Sequence, residues 1–169
     1  FTSVSPSRVF DTRPVQSGIR SVSKAKVGGG YQLAVKVTDL PGVVPASGVG
    51  AVSLNVTVTE PDGAGFVTVY PCGTQPNASS LNYVAGQTIP NAVIAPVSAQ
   101  GEVCFYSQSP THILADVNGW FASGASFTSV SPSRVFDTRP STAGIRSVSK
   151  AKVGGGYQLA VKVTDLPGV

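Results

Sequence analysis

Ala51-Val52-Ser53-Leu54-Asn55-Val56-Thr57-Val58-Thr59 alternates without a break. Val52, Leu54, Val56 and Val58 take one side; Ser53, Asn55, Thr57 and Thr59 take the other. Side chains two apart share a face of an extended chain, so this stretch reads as a strand with one face in a core. Residues 31–38 repeat the pattern, with Tyr31, Leu33, Val35 and Val37 on one side. Working outward, further short strands are predicted at 8–12, 66–70, 80–84, 92–97, 102–106 and 112–117. Turn signals separate them: Gly28-Gly29-Gly30, Pro41-Gly42, Pro61-Asp62-Gly63, Pro71-Cys72-Gly73, Gln100-Gly101 and Ser109-Pro110. No helical pattern of useful length interrupts them. The expectation is an all-β fold, an antiparallel β-sandwich of jelly-roll or Ig-like type, and a barrel would read the same way.

The sequence repeats itself. Residues 127–169 restate residues 1–43, differing only at Val15/Ser141, Gln16/Thr142 and Ser17/Ala143. The chain is therefore read as one complete repeat unit of 126 residues, 1–126, followed by the opening third of the next, 127–169. Whether that last third folds on the unit before it is left open. With no leading Met, the piece reads as the interior of a longer, processed protein. The joint Ala122-Ser123-Gly124-Ala125-Ser126 can span at most about 17 Å. Successive units must then touch or nearly touch, and Trp120, Phe121 and Phe127 are the candidates for apolar packing between repeats.

The duplication also decides how to read charge. All 12 Lys and Arg fall in the two copies of the opening segment, and residues 44–126 hold only the acids Glu60, Asp62, Glu102 and Asp116. One whole unit is neutral. The net charge of +4 comes from counting the basic third twice, so a nucleic-acid partner is not inferred from it. Attraction between the basic third and the acidic remainder would set register more than stability. Apolar content of 41% and a mean hydropathy of +0.18 argue against disorder. No apolar run is long enough for a transmembrane helix, so no membrane insertion is expected.

Cys72 and Cys104, one pair per unit, match no zinc-ligand spacing. A disulfide between them is the expectation, and with it an oxidising compartment outside the cytoplasm. Asn55-Val56-Thr57 and Asn77-Ala78-Ser79 have the form of glycosylation sequons.

Candidate chemistry is sparse. His112 and Asp116 are the one obvious acid–base pair, yet on a strand they stand about 13 Å apart. No Gly-x-Ser-x-Gly elbow accompanies the serines. Catalysis, a metal and a cofactor are therefore not expected. Arg8, Asp11 and Arg13 form the densest polar group, repeated as Arg134, Asp137 and Arg139. Such a set could clamp a carboxylate or a sugar hydroxyl. The preferred reading is a structural ion-pair network, with Asp116 as a partner from the acidic part of the unit. Tyr31, Tyr70, Tyr83, Tyr106 and Trp120 could form a platform for sugar rings, although alternation points Tyr31 and Tyr70 inward.

Four words, Pro6-Ser7-Arg8-Val9-Phe10-Asp11-Thr12-Arg13, Ala51 to Thr59, Gly65-Phe66-Val67-Thr68-Val69-Tyr70-Pro71-Cys72-Gly73 and Asp116-Val117-Asn118-Gly119-Trp120-Phe121, occur in that order. Together they resemble a β-rich repeat domain common in secreted and surface proteins of actinobacteria and related bacteria. The resemblance spans the 126-residue unit, with Trp120 where Tyr is usual. It implies export, all-β structure and tandem arrangement, and no catalytic residues. The functional expectation is a non-enzymatic structural repeat of an extracellular fibre, stalk or surface filament, assembled by head-to-tail contacts between successive units, its partners being adjacent copies of the same repeat. The alternatives are a repeated glycan-binding or adhesin module, and a passive spacer for a domain elsewhere in the parent chain.

Overall fold

A computed structural model describes residues 1–125, 127, 128 and 130–167. The chain forms two compact units, Phe1–Gln75 with Ser79–Ser129, and Pro76–Ala78 with Val130–Val169. Ser126 of the expected joint lies outside the described residues.

The first unit holds eight strands: β1 (Thr2–Asp11), β2 (Gln32–Lys36), β3 (Val49–Thr59), β4 (Gly65–Pro71), β5 (Leu81–Tyr83), β6 (Ile89–Pro96), β7 (Glu102–Ser107) and β8 (His112–Ala122). Each predicted strand has its counterpart. Two four-stranded antiparallel sheets result, in the orders β1-β8-β3-β6 and β2-β7-β4-β5. Between the two strand orders, β1 pairs with β8, β2 with β7, β3 with β6 and β4 with β5. The unit is thus one long hairpin, tip at β4–β5, rolled up until its arms form two layers. That is the eight-stranded jelly roll, an antiparallel β-sandwich.

The alternation that marks β3 fills the core. Val52, Leu54, Val56 and Val58 are fully buried, facing Val67, Val69, Val103 and Phe105 among the residues of the other sheet. At β1 the register slips between Arg8 and Phe10, a bulge that turns both Val9 and Phe10 inward. The Phe10 ring then crosses between the sheets to meet Phe105 edge-on, centroids 4.9 Å apart.

The largest extensions beyond what the sequence announces are at β1 and β8. β1 begins at Thr2 and β8 continues to Ala122, because these stretches pair with each other, Thr2 opposite Trp120 and Ser3 opposite Gly119. Small polar residues and Pro6 hide β1, and an edge strand tolerates a proline. Tyr31 corrects the reading of its run. It precedes β2, follows the positive-φ turn at Gly28, Gly29 and Gly30, and is 65% exposed.

Cys72 and Cys104 form a disulfide, Cα atoms 4.9 Å apart, tying the end of β4 to the middle of β7.

Residues 130–167 of the second unit carry no strand. They nevertheless reproduce the local skeleton of the first copy, as described below.

Candidate functional site

The polar centre of the first unit lies where β1 leaves the sheet. Asp11, at the last position of β1, is completely buried. Its Oδ2 accepts from Arg8 Nη1 at 2.6 Å and from Arg13 Nη2 at 2.7 Å; its Oδ1 accepts from Arg13 Nε and from the Arg13 backbone N–H, both at 3.0 Å. Lys24 Nζ donates to the Asp11 carbonyl at 2.7 Å. Arg8 turns its Nε to Asp116 Oδ1 on the neighbouring strand β8, at 2.5 Å. Arg8, Asp11, Arg13 and Asp116 therefore stand together, as Arg134, Asp137 and Arg139 do in the second copy.

Burial works to raise the Asp11 carboxyl. The Arg13 hydrogen bonds, from side chain and backbone, and the charges of Arg13 and Arg8 outweigh it, so the carboxyl sits below its ordinary 3.8. Arg13 is raised in turn, first by its hydrogen bond to Asp11. Asp137 is held far below the carboxylate range, chiefly by the Arg139 side chain and backbone N–H. Because the folded value is depressed, this carboxylate's stabilising contribution is whole above the unfolded 3.8 and drains away as pH falls toward the folded value. Stability measured by denaturant at about pH 6 and about pH 3 should therefore drop more in the wild type than in Asp11→Asn. Equal drops would remove Asp11 from the acid response.

Asp11 uses both carboxylate oxygens inside the network, while Arg8 and Arg13 each keep about a third of the side chain exposed. His112 is buried with Nδ1 3.2 Å from Thr12 Oγ1, and the same hydroxyl accepts the Ile113 N–H at 2.9 Å. His112 and Asp116 thus have separate partners, Thr12 and Arg8. Among the described residues no three His, Cys, Asp or Glu side chains stand together as a metal-ligand set.

Two basic residues prove structural in a way that the sequence does not announce. Arg20 Nε donates to the Lys36 carbonyl at 3.0 Å, and its Nη2 to the carbonyls of Thr38 and Asp39, both at 2.7 Å. With Lys24 on Asp11, it pins the irregular stretch between β1 and β2 by donating to main-chain carbonyls at and just beyond the ends of those strands. Lys26 reaches Asp62 at 2.5 Å, so the opening segment meets the acidic remainder at two ion pairs, Lys26–Asp62 and Arg8–Asp116.

The aromatic residues divide. Tyr70 and Tyr83 are buried, Tyr70 donating to Gln32 Oε1 and Tyr83 Oη lying 2.7 Å from Ser107 Oγ. Burial, and then the neighbouring Tyr106, push the Tyr70 hydroxyl up. Tyr106 and Trp120 are half-buried, and only Tyr31 of the five stands well out. Phe121 stacks on two rings at once, Phe1 at 4.9 Å and Phe127 at 4.4 Å between centroids. An open groove of about 250 Å³ is lined by Lys36, Thr38, Gly48, Val97, Gln100 and Gly101 among others, with Lys36 its one charged side chain.

Comparison with family profiles, with curated proteins and with solved structures returns no match to the chain. The disulfide, and the lack among the described residues of any helix long and apolar enough to cross a membrane, are compatible with a secreted protein.

Proposed function

We propose that the chain is a non-enzymatic structural repeat of an extracellular fibre, stalk or surface filament, built from contacts between successive copies. One observation carries this reading: a near-identical opening segment follows the first unit across a short joint of small residues. At that joint the rings of Phe1, Phe121 and Phe127 make a continuous series of tilted contacts. The disulfide-tied sandwich and the resemblance to exported tandem repeats support it. The carboxylate at the centre of the densest polar cluster, Asp11, is paired within the unit, which suits a scaffold better than a catalyst.

The positions of the chain ends support a side-by-side array in place of the head-to-tail one expected from sequence. Thr2 lies opposite Trp120, so the chain enters and leaves the sandwich at the same end. Units would hang side by side along a spine of joints, and each would add its width to the filament. Four strands spaced about 4.8 Å apart, with side chains, give about 20–25 Å per unit. Laying units end to end along the 11 residues of β3 would give about 36 Å instead. Arrays of two, four and eight units, imaged by electron microscopy, should be stiff rods lengthening by the smaller step. Units that tumble independently in solution would overturn the filament reading.

A further inference from the structure

The opening segment lies along one edge of the jelly roll. It supplies one edge strand to each sheet, β1 against β8 and β2 against β7. Residues 44–122 supply everything else, and the chain carries a second copy of the part that docks on them. We propose that residues 127–169 are an alternative occupant of the β8 and β7 edges of the same chain, competing with residues 1–43 for one docking surface. This inference does not depend on the filament reading.

The copy has the right groups in the right order. Thr128, Ser133, Arg134, Phe136 and Asp137 stand where Thr2, Ser7, Arg8, Phe10 and Asp11 pair with β8. Residues 158–162 repeat Gln32–Lys36, the whole of β2. Arg134 and Lys152 would find Asp116 and Asp62 as Arg8 and Lys26 do.

It is also assembled in advance. Ile19 and Arg20 donate their backbone N–H groups to the Arg8 and Val9 carbonyls at 2.9 and 2.7 Å; Ile145 and Arg146 do the same to Arg134 and Val135, at the same distances. Lys150 Nζ holds the Asp137 carbonyl at 2.7 Å, and Arg146 holds the carbonyls of Lys162, Thr164 and Asp165, as Lys24 and Arg20 do in the first copy. Even the left-handed residues recur, Asp39 at φ 56° and Asp165 at φ 54°. These bonds are made without either sheet, so part of the ordering that docking requires is already in place.

What the copy lacks is cover. Phe136 is 40% exposed where Phe10 is wholly buried, and Val163 is 65% exposed where Val37 is 1% exposed. Apolar side chains that are core in one copy and bare in the other favour the docking of either copy, so exchange between near-identical occupants is close to balanced.

Reach is supplied by the topology. Since β1 starts beside the end of β8, the next copy of β1 can fold back as the second arm of a hairpin. Setting Thr128 opposite Trp120 leaves residues 121–127 as the connection, and hairpins close with far fewer. Gly124 already has the positive φ of a turn, +73°, and Phe127 already stacks on Phe121, as Phe1 does. The exchanged form is a circular permutation of the unit, which adjacent ends permit.

Trypsin reads the exchange directly, because residues 44–126 contain no Lys or Arg and every cut falls in one copy or the other. The peptides 9–20 and 135–146 contain the three differing positions, so mass spectrometry tells the copies apart. Phe10→Asp in the full chain places a carboxylate at a fully buried position and should evict the first copy. Cleavage within 1–43 is then expected to accelerate while cleavage within 127–169 slows by about tenfold or more against the wild type. The double variant Phe10→Asp/Phe136→Asp should lose protection in both copies. If 127–169 is cut as fast in Phe10→Asp as in the wild type, whether or not the sandwich survives, the proposal fails. A slowing that vanishes on dilution would assign the edge to a second molecule and overturn it as well.

Discussion

Phe105→Ala should lower the unfolding free energy by about 3–5 kcal/mol, read as a shift of the denaturant midpoint at unchanged slope. Phe105 is fully buried at the centre of β7 and receives the Phe10 ring edge-on from the other sheet. Truncation removes both the transfer energy of the ring and the aromatic contact that joins the layers. The surrounding valines are β-branched and stiff, so they collapse poorly into the space left behind. Phe105 belongs to the part of the fold that is present once, so no copy can replace it. A loss under about 1 kcal/mol would mean that the two layers are not held together at this point.

The second large effect is expected at the disulfide. Cys72→Ser/Cys104→Ser frees a loop of sequence separation 32 in the unfolded chain and should cost about 3–4 kcal/mol. The bond ties β4 to β7, two central strands of one sheet. Its loss should therefore be felt by the whole unit and not by a frayed end. The unfolding slope should also rise, since a chain without the tie exposes more surface when it opens. An unchanged midpoint would show that the bond closes a loop already held by the β4–β7 ladder in the unfolded ensemble.

Strand content was the legible part. The alternation at 51–59 names the four β3 residues that prove fully buried, and every other apolar run of period two has its strand. The order of the strands was not legible, because jelly-roll and Ig-like sandwiches use the same alternation and differ only in distant pairings such as β1–β8. Tyr31 misled for a local reason: alternation continues one residue beyond the point where the glycine turn releases the chain into β2. In the polar centre, acidic and basic side chains close in sequence pointed to the Arg8–Asp11–Arg13 group. Arg20 and Lys24 left no such signal, since their partners are main-chain carbonyls, and a carbonyl has the same sequence signature everywhere.

The adjacency of Thr2 and Trp120 also determines how a tethered unit meets tension. Force entering at one and leaving at the other pulls on neighbouring ends of two antiparallel strands, so the β1–β8 hydrogen bonds are loaded in turn and the pair unzips instead of shearing. A unit held at these two ends would then yield gently and pay out chain under strain. The payout has a hard stop, because the residues between Cys72 and Cys104 stay looped behind a covalent bond however hard the ends are drawn.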